Sequence, residues 1–360
     1  MIDHLLDSSF DLSPLGSFST YQYGQQLLLH QTGQEQWKKA TIALIGYGKG
    51  EAYQAVREAL GGLSANFKKG QVVDLGLVKP DLLPLTELLD SLMQHGIFPL
   101  VIGEQSNILL AQLRAFEQRA ERVALALVDA QLDYTLEGEK GLLNGLLGFT
   151  PQLLQQLTCI GSQSYLTNPA AVSHLQNQQV NIHRLGQIVA QIEEVEPMVR
   201  QVDLAGFSLK AVRAADVPAL LPRNPNGLTA AQACRLIRYM SMSDQLTSLC
   251  LYDWQPQQED YGQTALLTAQ LIWFAVEGFF ARVYEWPVQQ KHLLAYVVDN
   301  KLLDAAITFY KSQKSNRWWV AIPEQFKAEQ PLIACSYADY KMACEGELPE
   351  RLLQAIARLD

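Results

Sequence analysis

Short apolar runs alternate along most of this chain with longer segments in which apolar residues recur every third or fourth position. Runs of the first kind suit strands buried on both faces, and segments of the second kind suit helices with one buried stripe. Read in order, the pattern predicts a strand at Ala40–Tyr47, a helix at Glu51–Leu60 closed by Gly61-Gly62, and a strand at Gln71–Leu75. A helix at Leu83–His95 stopped by Gly96, a strand at Ile97–Gly103 and a helix at Asn107–Arg119 follow. They lead into the run Val123–Val128. Beyond it the pattern predicts a helix near Pro151–Leu157, a short strand at Thr158–Gly161, helices at Ala170–Gln176 and Gln187–Val195, and a strand at Val202–Ser208. A helix at Ala230–Met240, a strand at Leu246–Tyr252 and a long helix at Gln263–Glu277 complete the series. Strands separated by helices of this length imply βαβ crossovers, hence an α/β fold with a mostly parallel sheet between two helical layers.

Residues 1–37 carry no clear period and read as an arm around the outside of a core spanning 38–285. Residues 286–360 change character, with short segments at Thr308–Lys311, Arg317–Val320 and Leu332–Cys335 before a helix at Pro349–Leu359. This stretch reads as an extension packed on the core. No internal repeat, low-complexity segment or long linker is visible.

The run Val123–Val128 ends abruptly in Asp129-Ala130-Gln131-Leu132-Asp133. Side chains just past the C-terminal end of a central parallel strand fall in the crevice where open α/β sheets hold ligands. Asp129, Gln131 and Asp133, at every second position of an extended or tightly turned segment, are spaced to converge on one point, which is metal-ligand spacing. The plainer reading is that both carboxylates cap nearby backbone amides.

Composition narrows the partners. In 360 residues, 48% of them hydrophobic, there is material for one large core, and no apolar run reaches the roughly 18 to 20 residues that span a bilayer. A net charge of −9, with basic pairs only at Lys38-Lys39 and Lys68-Lys69, argues against nucleic acid or an anionic membrane as partner. Met1–Ser19 lacks a basic region followed by an apolar one, so no secretory signal is expected. Five scattered cysteines without a C-x-x-C pair suit reduced thiols in cytoplasm. Tyr47-Gly48-Lys49-Gly50 lacks the further glycines of a phosphate cradle and reads as a plain turn. His183, between Ile182 and Arg184-Leu185, reads as a core or helix-entry histidine. Arg317-Trp318-Trp319 reads as packing of the C-terminal extension.

Several blocks, in the same chain order, resemble those of the ureohydrolase superfamily of arginases, agmatinases and formimidoylglutamases. Leu100–Ile108 is similar to its Ile-Gly-Gly-Asp-His-Ser stretch, and Asp129-Ala130-Gln131-Leu132-Asp133 to its Asp-Ala-His-x-Asp motif. Gly206–Lys210 with Pro225–Thr229 resembles Ser-Phe-Asp-x-Asp followed by Pro-Gly-Gly-Leu-Ser, and Tyr252–Pro256 with Gly262–Ala265 resembles Glu-Val-Asn-Pro with its trailing Thr-Ala. Downstream phrases such as Arg317-Trp318-Trp319 and Cys335-Ser336-Tyr337 are similar to a bacterial formimidoylglutamase-like branch that is itself short of metal ligands.

The resemblance implies a three-layer arginase-like fold, a homo-oligomer, and a site at Ser106, Asp129, Gln131, Asp133, Ser208, Lys210 and Asp253. It also implies the loss of most manganese ligands. Ser106 or Gln105 and Gln131 stand where the family has histidine, Ser208 and Lys210 where it has aspartate, and Asp253 where it has the glutamate that holds substrate. Two-metal hydrolysis needs anionic and imidazole ligands around ions about 3.5 to 4 Å apart. Of the family's ligands only Asp129 and Asp133 remain, and no histidine lies between His95 and His174. We therefore expect no metal, with Lys210 replacing it electrostatically against Asp129 or Asp133, in a catalytically inactive homologue that binds a small metabolite or acts as an interaction subunit. The alternatives are a manganese site built from Asp129 and Asp133 with Glu104 or Asp253, and hydrolysis of formimidoyl-glutamate or another linear amidine or guanidino compound. A further one is a different chemistry with Lys210 as base.

Overall fold

The apolar runs form strands because their side chains have partners on both faces. In the computed structural model, which describes residues 2–13, 16–65, 70–117, 122–138, 141–149, 153–254, 262–285, 292–300, 305–323, 326 and 332–357, the runs Ile42–Tyr47, Val72–Leu77, Phe98–Gly103, Val123–Val128, Leu204–Ser208 and Ser248–Tyr252 are buried throughout. The strands in chain order are β1 (Leu28–Leu29), β2 (Ile42–Tyr47), β3 (Val72–Leu77), β4 (Phe98–Gly103), β5 (Val123–Val128), β6 (Leu154–Ser162), β7 (Asn181–Arg184), β8 (Leu204–Ser208) and β9 (Ser248–Tyr252). They make one nine-stranded sheet among the described residues, in the order β1-β3-β2-β4-β9-β8-β5-β6-β7, and every pairing is parallel.

Alternation within each strand sends side chains to two separate cores. Ala126 and Val128 of β5 join Ile42 and Leu44 of β2 in one, while Val123, Leu125 and Leu127 join Ala43 and Ile45 in the other. Helices α1 (Tyr23–Gln26), α2 (Gly50–Gly61), α7 (Leu185–Ala190), α8 (Val195–Val199), α9 (Ala230–Ser241) and α10 (Gln263–Phe280) cover the first. Helices α3 (Leu82–Gln94), α4 (Ile108–Glu117), α5 (Leu142–Gly148) and α6 (Pro169–Asn177) cover the second. This is the expected three-layer α/β arrangement.

The arm is partly structural: β1 adds to the sheet edge, Leu6 bridges to Val78, and Trp37 is buried. Where a helix was expected near Pro151–Leu157, residues from Leu154 onward belong to β6. The short polar strand β7 and helix α5 were not foreseen. Beyond the core, β10 (Leu293–Asn300), β11 (Ala305–Ser312), β12 (Trp318–Ala321) and β13 (Leu332–Cys335) form an antiparallel sheet. It packs its own apolar core with α11 (Tyr337–Cys344) and α12 (Glu350–Ala357). Lys68-Lys69, Pro151, Gln255-Pro256 and Trp286 lie outside the described residues. Among the described residues no helix is long and apolar enough to cross a membrane.

Candidate functional site

Strands β4, β9, β8 and β5 are neighbours in the middle of the sheet, so the residues that follow their C-terminal ends share one crevice. Val128 lies in register with Phe207 and Ser208 with Tyr252, which brings Asp129, Ser208 and Asp253 alongside one another.

Asp253 leaves β9 with φ +68, in the left-handed region that aspartate tolerates better than most residues. Both its carboxylate oxygens are used. Ser208 Oγ donates to Oδ2 at 2.6 Å, and Lys210 Nζ donates to Oδ1 at 2.9 Å. Ser208 is fully buried, and its Oγ also accepts the Lys210 backbone N–H at 3.1 Å, which opens a single 3-10 turn, Leu209–Ala211. That turn brings the Lys210 side chain back over the strand ends.

Asp129 is half-buried, and its Oδ1 accepts the Gln131 N–H at 3.2 Å. Burial, and after it the charge of Asp253, push its pKa up to about 7 against the opposing pull of the Gln131 N–H and Lys210. Burial works against the Lys210 ammonium, but Asp253 above all, with Asp129 and Asp133, outweighs it and holds its pKa above the ordinary lysine value. Near neutral pH one cation thus serves Asp253 while the adjacent Asp129 exchanges a proton.

Two expectations are corrected here. Lys210 pairs with Asp253 rather than with Asp129 or Asp133, because Asp253 turns inward onto the hydroxyl that β8 presents and the amine of the turn after it. The convergence of Asp129, Gln131 and Asp133 does not form either. After Asp129 the chain turns, held by Gln163 N–H to Ala130 O at 2.8 Å and Leu132 N–H to Thr167 Oγ1 at 3.2 Å. Gln131 is exposed. Asp133, also exposed, accepts the Leu142 N–H at 2.8 Å through Oδ2 and the Leu143 N–H at 2.9 Å through its carbonyl, anchoring the start of α5.

Ser106 is half-buried in the turn between β4 and α4, where its carbonyl accepts the Leu109 N–H at 3.1 Å. Glu104 accepts the Lys49 N–H at 2.8 Å and so closes the turn after β2 at Gly48. His183 lies on β7, directly before the Arg184 cap of α7, at a helix entry as expected.

Other groups near the crevice carried little or no sequence signal. Beneath it, burial and then Asp129 push the Cys159 thiol up to about 12, and burial, Asp129 and Asp253 raise the Tyr252 phenol. The floor is therefore uncharged. The Tyr252 hydroxyl and Trp254 Nε1 are buried without a partner among the described residues. At the rim Gln163 accepts from Tyr165 and from Asn224 Nδ2, and Asn226 Nδ2 donates to the Tyr165 hydroxyl at 2.8 Å. Gly227 lets this rim loop press on the neighbouring segment, since a Cβ there would meet Arg213 N at 2.6 Å and Ala211 O at 2.8 Å. Pro225–Thr229 stands out in the sequence only as a block of the resemblance, and exposed Tyr165 gives no sign.

Manganese and its hard relatives take about six oxygen or nitrogen ligands, in which carboxylates dominate. Among the described residues no three His, Cys, Asp or Glu side chains converge in a way that could hold a metal ion. The crevice supplies Asp129 and Asp253, with a hydroxyl donating to the latter and an ammonium bonded to it. Those residues do not fit a dinuclear centre.

Together, the central parallel sheet, its two helical layers and the crevice at the strand ends define a three-layer α/β architecture. Comparison with solved structures makes it specific. The chain is similar to formimidoylglutamase from Bacillus subtilis with TM-score 0.65 and 18% identity, over 75% of this chain and 96% of that one. It is similar to a Trypanosoma cruzi formiminoglutamase solved with Mn2+, with TM-score 0.62 and 17% identity over 69% and 97%. It is also similar to agmatine ureohydrolase of Thermoplasma volcanium, with TM-score 0.56 and 18% identity over 68% and 91%. The chain has the arginase-superfamily fold. No family-level sequence profile and no curated protein sequence matches it.

Proposed function

We propose that this arginase-fold chain has given up metal-dependent hydrolysis and uses the crevice between Asp129, Ser208, Lys210 and Asp253 to bind a small metabolite. The observation that carries this reading is the Lys210 Nζ to Asp253 Oδ1 bond of 2.9 Å, with Ser208 Oγ on the other carboxylate oxygen. The Lys210 side chain is 45% exposed, so swinging it away costs only about 1 kcal/mol and its charge alone would not keep a dication out. The shortage of donors weighs more. Even with Lys210 withdrawn, a metal would meet only two carboxylates, Asp129 and Asp253. A water there lacks the paired charges that would lower its pKa.

The competing reading is hydrolysis of formimidoyl-glutamate or another linear amidine, and the fold shared with formimidoylglutamases favours it. Elemental analysis of protein purified from manganese-supplemented cells, with assays for formamide and urea release, separates the two. We expect far less than one manganese per chain and no release. Two tightly held ions per chain together with turnover would overturn the proposal. The homo-oligomer and cytoplasmic location expected from the sequence belong to the same proposal, and sedimentation of the purified chain tests the first.

A further inference from the structure

A second cavity, of about 100 Å³, opens away from the central crevice, between the edge of the main sheet and the C-terminal antiparallel unit. Thr158 of β6 with Asn181 and His183 of β7 contribute from the core; Gln201, just past α8, with Arg351 and Gln354 of α12, closes it from the other side.

Its chemistry is polar without available charge. Arg351 is the one lining residue that carries a permanent charge, and that charge is already held by Asp339 and by Glu194, whose Oε2 and backbone carbonyl each lie 2.9 Å from Nη2. Burial, and then Arg351, push the His183 pKa below the ordinary histidine value, so the ring is neutral at physiological pH and offers one N–H and one lone pair. Neither ring nitrogen has a hydrogen-bond partner among the described residues. Gln201 spends its carbonyl on the Ala334 N–H at 3.0 Å, leaving its amide hydrogens. Gln354 spends an amide hydrogen on Glu350 at 3.0 Å, leaving its carbonyl. Donors and acceptors are thus both on offer, and a charged guest would find no counter-ion. The volume is about two-thirds of the roughly 150 Å³ cavity that admits the six carbons of benzene, room for about four heavy atoms, such as the carboxamide head of a slightly longer molecule.

We propose that this cleft binds a small uncharged molecule of the carboxamide class, which bridges the core and the antiparallel unit. The site does not depend on the metabolite proposed for the central crevice. Its walls come from both units, so an occupant ties them together and stabilises the folded chain by mass action.

Saturation-transfer NMR on the whole chain tests the proposal, with butyramide as probe and butyrate and butylammonium as charged counterparts of similar shape. Butyramide alone is expected to receive saturation and to slow amide hydrogen exchange in α12. His183→Phe is expected to abolish both effects while leaving the circular dichroism unchanged, and Lys210→Met to leave both intact. If His183→Phe fails to fold, Gln354→Glu carries the test, since a like-shaped charge at the mouth is expected to weaken butyramide at least tenfold. Absence of butyramide binding, equal response from all three probes, or binding untouched by His183→Phe or, where that fails to fold, by Gln354→Glu would overturn the proposal.

Discussion

The carboxyl of Asp129 titrates near neutrality because burial, more than the neighbouring Asp253, disfavours its ionised form. Its folded-state value of about 7 lies above the ordinary 3.8, so between those values the folded chain holds a proton that the unfolded chain has released. Stability from this group is therefore fully present below about pH 4 and is lost as the pH rises through 7. Asp129→Asn keeps an acceptor for the Gln131 N–H and removes the titration. We expect it to raise stability at pH 8 by on the order of 2 kcal/mol and to leave stability at pH 4 nearly unchanged, as read from urea midpoints. Lys210→Met is expected to cost about 1 kcal/mol at pH 8, the small figure for a half-exposed pair, and Asp253→Asn in the same chain to return most of it. A double-mutant cycle with no coupling would remove Lys210 from its role. Asp129 is readable as a strand-end residue, whereas Ser208, Lys210 and Asp253 stand out only through the resemblance of their blocks to the ureohydrolase motifs. Which carboxylate the amine would choose is not readable, since the choice rests on the left-handed turn at Asp253, which no periodicity announces.

Among the elements, the fully buried strands announced themselves, and the half-buried ones did not. β6 begins with Leu154-Gln155-Gln156-Leu157, whose apolar spacing imitates a helix, and only from Leu157 onward is it buried on both faces. β7 is Asn-Ile-His-Arg, too short and too polar to stand out; the sheet edge rather than its own composition makes it a strand. Asp133 was read both as a ligand and as a cap, and its carboxylate is spent on the Leu142 N–H. Removing an anchor of this kind costs about 1 kcal/mol of helix stability. Asp133→Ala is accordingly expected to lower the melting temperature by a few degrees and to speed amide exchange across α5, while Asp133→Asn restores most of the loss. Equal effects of alanine and asparagine would point away from capping.

At the scale of the whole molecule, the antiparallel unit is tied to the core by arginines, among them Arg200, Arg317 and Arg351. Arg200 donates from Nη1 to the Trp318 carbonyl at 2.6 Å and from Nε to Glu196 Oε1 at 3.0 Å, and lies 4.9 Å from the centre of the Trp319 ring. Arg317 shares Glu196 at 3.1 Å. Deleting one member of such a set strands the rest, at about 3 kcal/mol. Arg200→Met is expected to show that loss in denaturant unfolding, with exchange rising first in β12 and β13. A uniform rise over the chain would mean that the two units do not separate.

The large sheet ends on one side in two residues, Leu28–Leu29, and on the other in four, Asn181–Arg184. Edge strands that short offer an adjoining molecule little main chain of their own on which to lay a strand. Edges this short disfavour stacking of copies through that sheet, and favour assembly through side chains on the outer helices and loops or through the smaller sheet.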